Sequence, residues 1–248
     1  MSEEMVIGKN PVIEALKSGR DINKIWIAEG AQKGQTGQVM QLAKDTGVIV
    51  QFAPRKKLDQ LAGSSNHQGI VAQVAAYEYA VLDDLFARAK EREEDPFFIL
   101  LDEIEDPHNL GSIMRTAEAA GAHGIIIPKR RAVGLTATVA KASTGAIEYI
   151  PVVRITNMSR TIEELKEKGV WIVGTDASGT TDYRQLDAKM PIGLVIGSEG
   201  KGMSRIVREK CDFLIRLPMV GKVTSLNASV AASLLMYEVY RKRQPLGE

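Results

Sequence analysis

Four unbroken apolar stretches constrain this chain most: Phe97-Phe98-Ile99-Leu100-Leu101, Gly124-Ile125-Ile126-Ile127, Gly169-Val170-Trp171-Ile172-Val173 and Ile192-Gly193-Leu194-Val195-Ile196. A strand that is apolar at every position has no face for water, so both of its faces must be covered. Helix-period patterns intervene at about residues 111–120, 133–141, 159–167 and 202–210, and residues 211–217 read as a further strand. Such alternation specifies an α/β fold with a mainly parallel sheet. Ligands in folds of this kind bind beyond the carboxyl ends of the strands.

Residues 1–80 carry a smaller version of the same alternation. Pro11 suits the first turn of a helix reaching Leu16. Residues 22–28 alternate as a half-buried strand, 35–45 read as a helix, 48–52 as a strand, 56–61 as a short helix and 70–74 as a strand. The polar loop Gly63-Ser64-Ser65-Asn66-His67-Gln68-Gly69 fits a binding turn or a plain surface turn. Lys9 with Arg55-Lys56-Lys57 fits a basic edge, and a solvated charge cluster is the simpler reading. Residues 81–95 are charge-rich before Pro96 and read as a short helix, capped by Asp83 or Asp84, and a hinge. The expected division is therefore 1–80, a linker over 81–95, and 96–248.

Composition excludes more than it selects. The net charge of +1 over 248 residues gives no global attraction for nucleic acid, so any such surface must be local. Cys211 stands alone, which excludes an internal disulfide and suits a reducing compartment. The start lacks the basic and apolar regions of a signal peptide, and no apolar run reaches membrane-spanning length. The expectation is a cytoplasmic protein without a membrane partner. His67, His108 and His123 are scattered, so no metal site is expected. The P-loop order and the Gly-x-Ser-x-Gly elbow are both missing.

Three loops at strand ends are unusual. The first runs Asp102-Glu103-Ile104-Glu105-Asp106-Pro107-His108-Asn109-Leu110-Gly111, with Arg115 about one helical turn further on. Either Arg115 reaches back to the strand ends, or Asn109 caps the helix and Arg115 pairs with an acid such as Glu118. The second is Gly197-Ser198-Glu199-Gly200-Lys201-Gly202, whose three glycines permit close backbone approach or positive φ. The third spans residues 217–227, where Pro218 and Gly221 break regular structure and Thr224 or Ser225 fits a helix cap. The following helix carries little charge until Glu238, as a helix against a core or a partner would. Lys129-Arg130-Arg131 and the pair Arg205 and Arg208 fit phosphate contacts or solvated faces equally well.

These residues carry a resemblance. Asn109-x-Gly111-x-x-x-Arg115-Thr116-Ala117, Gly197-Ser198-Glu199-Gly200-x-Gly202 and Leu217-Pro218-Met219-x-Gly221-x-Val223-x-Ser225-Leu226-Asn227-x-Ser229 resemble, in order, the three motifs of the SpoU (TrmH) family of the SPOUT superfamily. Ile7-Gly8-Lys9-Asn10-Pro11-Val12-x-Glu14-Ala15-Leu16, with His67-Gln68-Gly69, resembles that family's N-terminal substrate-binding domain, which is similar to ribosomal protein L30e. The resemblance implies a small L30e-like α/β domain joined to a methyltransferase domain with a deep C-terminal trefoil knot. It implies methyl transfer from S-adenosylmethionine to a ribose 2′-hydroxyl, that of a guanosine in 23S ribosomal RNA. The alternatives are a transfer-RNA enzyme of the same family or a non-catalytic RNA-binding protein. It further implies a homodimer with the active site near the subunit interface. Cofactor contacts fall on Gly197, Ser198, Gly202, Leu217, Met219, Ser225, Leu226 and Asn227. The catalytic set is Arg115, Asn109, Glu199, Ser225 and Asn227.

Overall fold

The computed structural model describes residues 5–244 except Ala76 and Thr224, with Lys33 and Gln35 described by their backbone alone. The chain divides into two compact units, 1–78 with 134–138, and 79–133 with 139–248.

The first unit is built from β1 (Met5–Ile7), α1 (Lys9–Lys17), β2 (Ile22–Ala28), α2 (Lys33–Asp45), β3 (Val50–Ala53), α3 (Arg55–Ala62) and β4 (Ile70–Val74). Its sheet order is β1-β4-β2-β3. The central strand β2 is antiparallel to β4 and parallel to β3. Alternate residues of β2 bury into two cores. Ile25 and Ile27 join Val12, Leu16 and Val39, whereas Trp26 and Ala28 join Ala53, Leu58 and Val71. The three-residue β1 escaped the sequence pattern because it is too short to show a period.

His67 settles the reading of its loop. It is fully buried, its Nδ1 accepts from the Gly69 amide at 2.9 Å, and its Nε2 lies 3.0 Å from Asp59 Oδ1. Both ring nitrogens therefore hold the turn together, with Gln68 and Gly69 at φ of 52° and 76°. The imidazole is a staple and has no nitrogen left for a ligand.

The second unit contains α4 (Leu82–Glu91), β5 (Phe97–Asp102), α5 (Pro107–Ala119), β6 (Gly124–Pro128), most of α6 (Ala137–Ala142), β7 (Val152–Ile155), α7 (Met158–Glu167), β8 (Trp171–Thr175), β9 (Thr181–Asp182), β10 (Ile192–Gly197), α8 (Arg205–Lys210), β11 (Phe213–Arg216) and α9 (Ala228–Arg243). Its seven strands lie in the order β7-β6-β5-β10-β8-β11-β9. Every neighbouring pair is parallel. All residues of β5 are buried, as an apolar strand covered on both faces must be.

The charged helix expected as a hinge is part of this unit's core. Leu85 is fully buried, and a Cβ at Gly124 would stand 2.4 Å from its Cγ. The missing side chain on β6 is the slot that α4 fills. The start of α4 is fixed by Asp84, whose Oδ2 accepts from the Val81 amide at 2.9 Å. At the far end of the chain, the half-buried Arg243 guanidinium donates to the carbonyls of Ala188, Asp95, Pro96 and Met190. Burial lowers its pKa below the usual guanidinium value, and the four acceptors keep it satisfied. This clamp fixes the end of α9 beside the start of β5.

Candidate active site

The carboxyl ends of β5, β8, β10 and β11 carry the three unusual loops. Asp102 closes β5 in register with Gly197 of β10. Its Oδ2 accepts from the Ser204 amide at 2.7 Å, which ties the end of the glycine loop back to the sheet. Between them the loop folds onto itself. Ser198 and Gly202 exchange backbone hydrogen bonds of 3.1 and 2.9 Å, with Gly200 and Gly202 at φ of 79° and 68°. A Cβ at Gly197 would lie 2.2 Å from the Gly202 carbonyl carbon and 2.3 Å from the Met203 nitrogen. Only glycine fits there, because backbone cannot move aside as a side chain can.

Two helix starts converge on this loop, and both caps differ from the sequence expectation. Asp106, not Asn109, caps α5: it accepts from the His108 amide at 2.8 Å, with Pro107 in the first turn. Asn109 is thereby inside the helix, nearly buried, with its amide free to face the loop. Asn227, not Ser225, caps α9: its Oδ1 accepts from the Ser229 and Val230 amides at 3.0 and 3.3 Å. Thr224, the other expected cap, lies outside the described residues.

Glu199 joins the three loops. Its Oε1 accepts from Asn109 Nδ2 at 3.1 Å, from the Ala228 amide at 3.1 Å, and from Asn227 Nδ2. Asn227 Nδ2 also donates to Asn109 Oδ1 at 3.0 Å. A carboxylate at the start of α9 is favoured by the helix dipole and by its unpaired amides. Asn109, Glu199 and Asn227, which stand far apart in sequence, thus form one hydrogen-bonded cluster.

Beside the cluster lies a cavity of about 430 Å³. Gly197, Ser198, Glu199, Gly202, Leu217, Met219, Ser225 and Leu226 all line it, together with Ala228, Ala231 and Leu235 of α9. Asn227 does not line it and supports its wall through Glu199. Thr175 and Asp176 also line it, and the sequence reading missed them. Their only sequence signal is position, immediately after an apolar strand. Burial pushes the Asp176 carboxyl up, but hydrogen bonds from Ser178 and the nearby Arg208 charge outweigh it and leave it below the usual range. The cavity is lined by apolar side chains at Ile196, Ile215, Leu217, Leu226 and Leu235 and by polar groups at Thr175, Asp176, Ser198, Glu199 and Ser225. That donor set and size fit a nucleoside-sized ligand with one flat apolar group and polar edges, as S-adenosylmethionine has.

Arg115 stands apart. It is exposed on α5, does not line the cavity, and makes no hydrogen bond or ion pair among the described residues. It neither reaches back to the strand ends nor pairs with Glu118. No group of three or more metal-ligating side chains occurs among the described residues. No described helix is long and apolar enough to cross a membrane.

Known proteins resemble this chain in sequence and fold. The profile of the SpoU rRNA Methylase family matches residues 96–237. A profile described as RNA 2′-O ribose methyltransferase substrate binding matches residues 5–80. YacO of Bacillus subtilis (strain 168), assigned by name to the TrmH family of tRNA/rRNA methyltransferases, is 70% identical over 99% of this chain and 98% of its own length. The crystal structure of an AdoMet-bound rRNA methyltransferase from Sinorhizobium meliloti is 28% identical, covers 97% of this chain and 87% of that one, and gives a TM-score of 0.59. A TrmH/SpoU tRNA modifying enzyme of A. aeolicus, also 28% identical, covers 66% of this chain and 86% of that one with a TM-score of 0.56. The chain belongs to the SpoU (TrmH) family of S-adenosylmethionine-dependent RNA ribose 2′-O-methyltransferases.

Proposed function

We propose that this enzyme methylates a ribose 2′-hydroxyl in ribosomal RNA, with residues 5–80 recognising the RNA and residues 96–237 holding the cofactor. The observation that carries the choice of RNA is coverage. The relative described as an rRNA methyltransferase spans 97% of this chain, whereas the one described as a tRNA modifying enzyme spans 66%. A 23S guanosine is the finer form of this reading and rests on the motif resemblance. Transfer RNA is the second reading, favoured by the name of the Bacillus relative, which spans both RNA classes. Labelled methyl transfer to separated 23S, 16S and transfer RNA from cells lacking the enzyme decides between them. The expected result is label in 23S RNA alone. Transfer into transfer RNA with none in ribosomal RNA would replace this choice by the second reading.

In this reading S-adenosylmethionine, when bound, supplies an electrophilic methyl group. Gly197, Ser198, Gly202, Leu217, Met219, Ser225 and Leu226 hold it in the cavity. Glu199 and Asn227 keep the two loops in register, and Asn109 ties α5 to them. Ser225 at the cavity wall contacts the reacting nucleotide. The 2′-hydroxyl is a weak acid, so its proton leaves with or after attack. A guanidinium is charged and has no acceptor, so Arg115 stabilises the developing alkoxide and clamps the adjoining phosphate.

The unpartnered Arg115 supports a homodimer. Ser112 and Arg115 are exposed on α5, three residues apart and so neighbours on the helix surface. Beside Ser112, a concavity of about 330 Å³ is lined by Val230, Ser233, Leu234 and Tyr237 of α9. Leu234 and Tyr237 are 45% and 49% exposed, an apolar face that a second copy would cover. In this reading Arg115 acts on the ribose held at the partner subunit's cavity. Light scattering at micromolar concentration should return about twice the 27.1 kDa chain mass. A monomer that retains activity would contradict it. The reading also includes a threaded C-terminal knot and an L30e-like first unit.

A further inference from the structure

We propose that the RNA substrate docks on the first unit along its outer strand β3, with phosphates on Arg55, Lys56 and Lys57 and an unpaired base on Phe52. This inference rests on the RNA-methylating reading above and names the surface that would serve it. β3 is the last strand of its sheet, paired to β2 on one side only. Phe52 on this strand is 55% exposed, which leaves a flat aromatic face open to solvent three residues before Arg55. Val50 packs on the core beneath α1 and α2, and Ala53 packs on the core beneath α3. Strand alternation therefore puts Phe52 on the α1–α2 side and leaves α3 on the other. Ring and cations bracket the outer strand from its two sides.

The cations are poorly placed for stability. Arg55, Lys56 and Lys57 open α3, a first turn with no acidic residue and no side-chain cap. A helix start is electropositive and prefers acids, so three consecutive cations there oppose the dipole. All three are exposed, and none has an ion pair among the described residues. Asp59, the acid of α3, is engaged by His67 at 3.0 Å. The acid at this edge is Glu29, whose amide donates to the Ala53 carbonyl at 3.0 Å. β1, β2 and β3 run the same way, so their carboxyl ends lie at one end of the sheet, with β1 and the Lys9 start of α1 on the far side of β4 from β2 and β3.

Residues 1–80 hold nine basic and eight acidic side chains, so it is placement rather than abundance that makes this edge positive. A positive edge without compensating pairs matches a polyanion, and an adjoining exposed ring matches an unstacked base. Together they match single-stranded or looped RNA, which carries a phosphate and a stackable base at every nucleotide.

The test uses the full chain and unmodified 23S RNA fragments. Lys56→Gln with Lys57→Gln is compared with Lys17→Gln with Lys44→Gln, which removes the same charge from the last turns of α1 and α2. The first pair should weaken RNA binding about tenfold and flatten the slope of log affinity against log salt by about 1.5, from two lost phosphate contacts. The second pair should leave both near wild type. Phe52→Ala should weaken binding about tenfold with an unchanged salt slope, since stacking releases no counterions. S-adenosylhomocysteine binding should be unaltered in all three, and thermal unfolding verifies that each is folded. Equal RNA affinity for the two lysine pairs, with methylation intact, would overturn the surface and leave the functional reading standing. Absence of any transfer by wild-type protein to RNA would instead overturn the functional reading.

Discussion

Gly197→Ala is expected to weaken S-adenosylhomocysteine binding by about a hundredfold or more, in a protein that still unfolds cooperatively. The added methyl meets the Gly202 carbonyl carbon at 2.2 Å and the Met203 nitrogen at 2.3 Å. Neither atom is the end of a flexible side chain, so the loop must open. Opening breaks the paired bonds between Ser198 and Gly202, and with them the wall of the cavity. Loss of two backbone hydrogen bonds and of wall contacts together is worth about 3 kcal/mol, which is the hundredfold stated. Gly221→Ala is the control. It lies between Met219 and Ser225, and nothing stands within 4 Å of the place its new methyl would take, so affinity should stay within about twofold. Calorimetric titration of both variants checks this. Wild-type affinity in folded Gly197→Ala would remove the cofactor assignment of this loop.

Arg115→Ala is expected to lower kcat by about a hundredfold to a thousandfold while leaving the thermal midpoint within about one degree of wild type. The two halves have one cause. Arg115 is exposed and has no partner among the described residues, so its removal breaks nothing in the chain's own fold. A charge that stabilises only the transition state affects turnover and leaves cofactor binding alone. Arg115→Lys should recover part of the loss, since the charge remains but the planar fork does not. Single-turnover transfer at saturating RNA measures the effect. Unchanged kcat in Arg115→Ala would take this residue out of the catalytic set.

The sheet was legible because burial on both faces leaves an unmistakable mark. Phe97-Phe98-Ile99-Leu100-Leu101 has no polar position, and only a covered parallel strand tolerates that. Two-residue β9 left no such mark. The role of α4 was hidden because its partner is a missing side chain, the slot at Gly124 that Leu85 fills. The caps were misread for a related reason. Thr224, Ser225 and Asn227 all suit a helix start locally, and position along the chain does not rank them. Asn227 is placed by Asn109 and Glu199, which lie 118 and 28 residues away in sequence. The motifs singled out Asn109, Glu199 and Asn227, which the fold joins in one hydrogen-bonded cluster. That Asn227 stands behind the cavity wall, that Thr175 and Asp176 face the cavity, and that Arg115 stands outside it were matters of tertiary geometry.

The central claim is that the Glu199-centred cavity delivers a methyl group to a ribose oxygen. Its most direct test is to incubate the full-length protein with methyl-labelled S-adenosylmethionine and unmodified 23S RNA, digest the product to nucleosides and identify the labelled one by mass spectrometry. The account predicts a single 2′-O-methylated nucleoside, guanosine in the finer reading, with its ribose–base fragmentation placing the label on the sugar. Label on a base would contradict it.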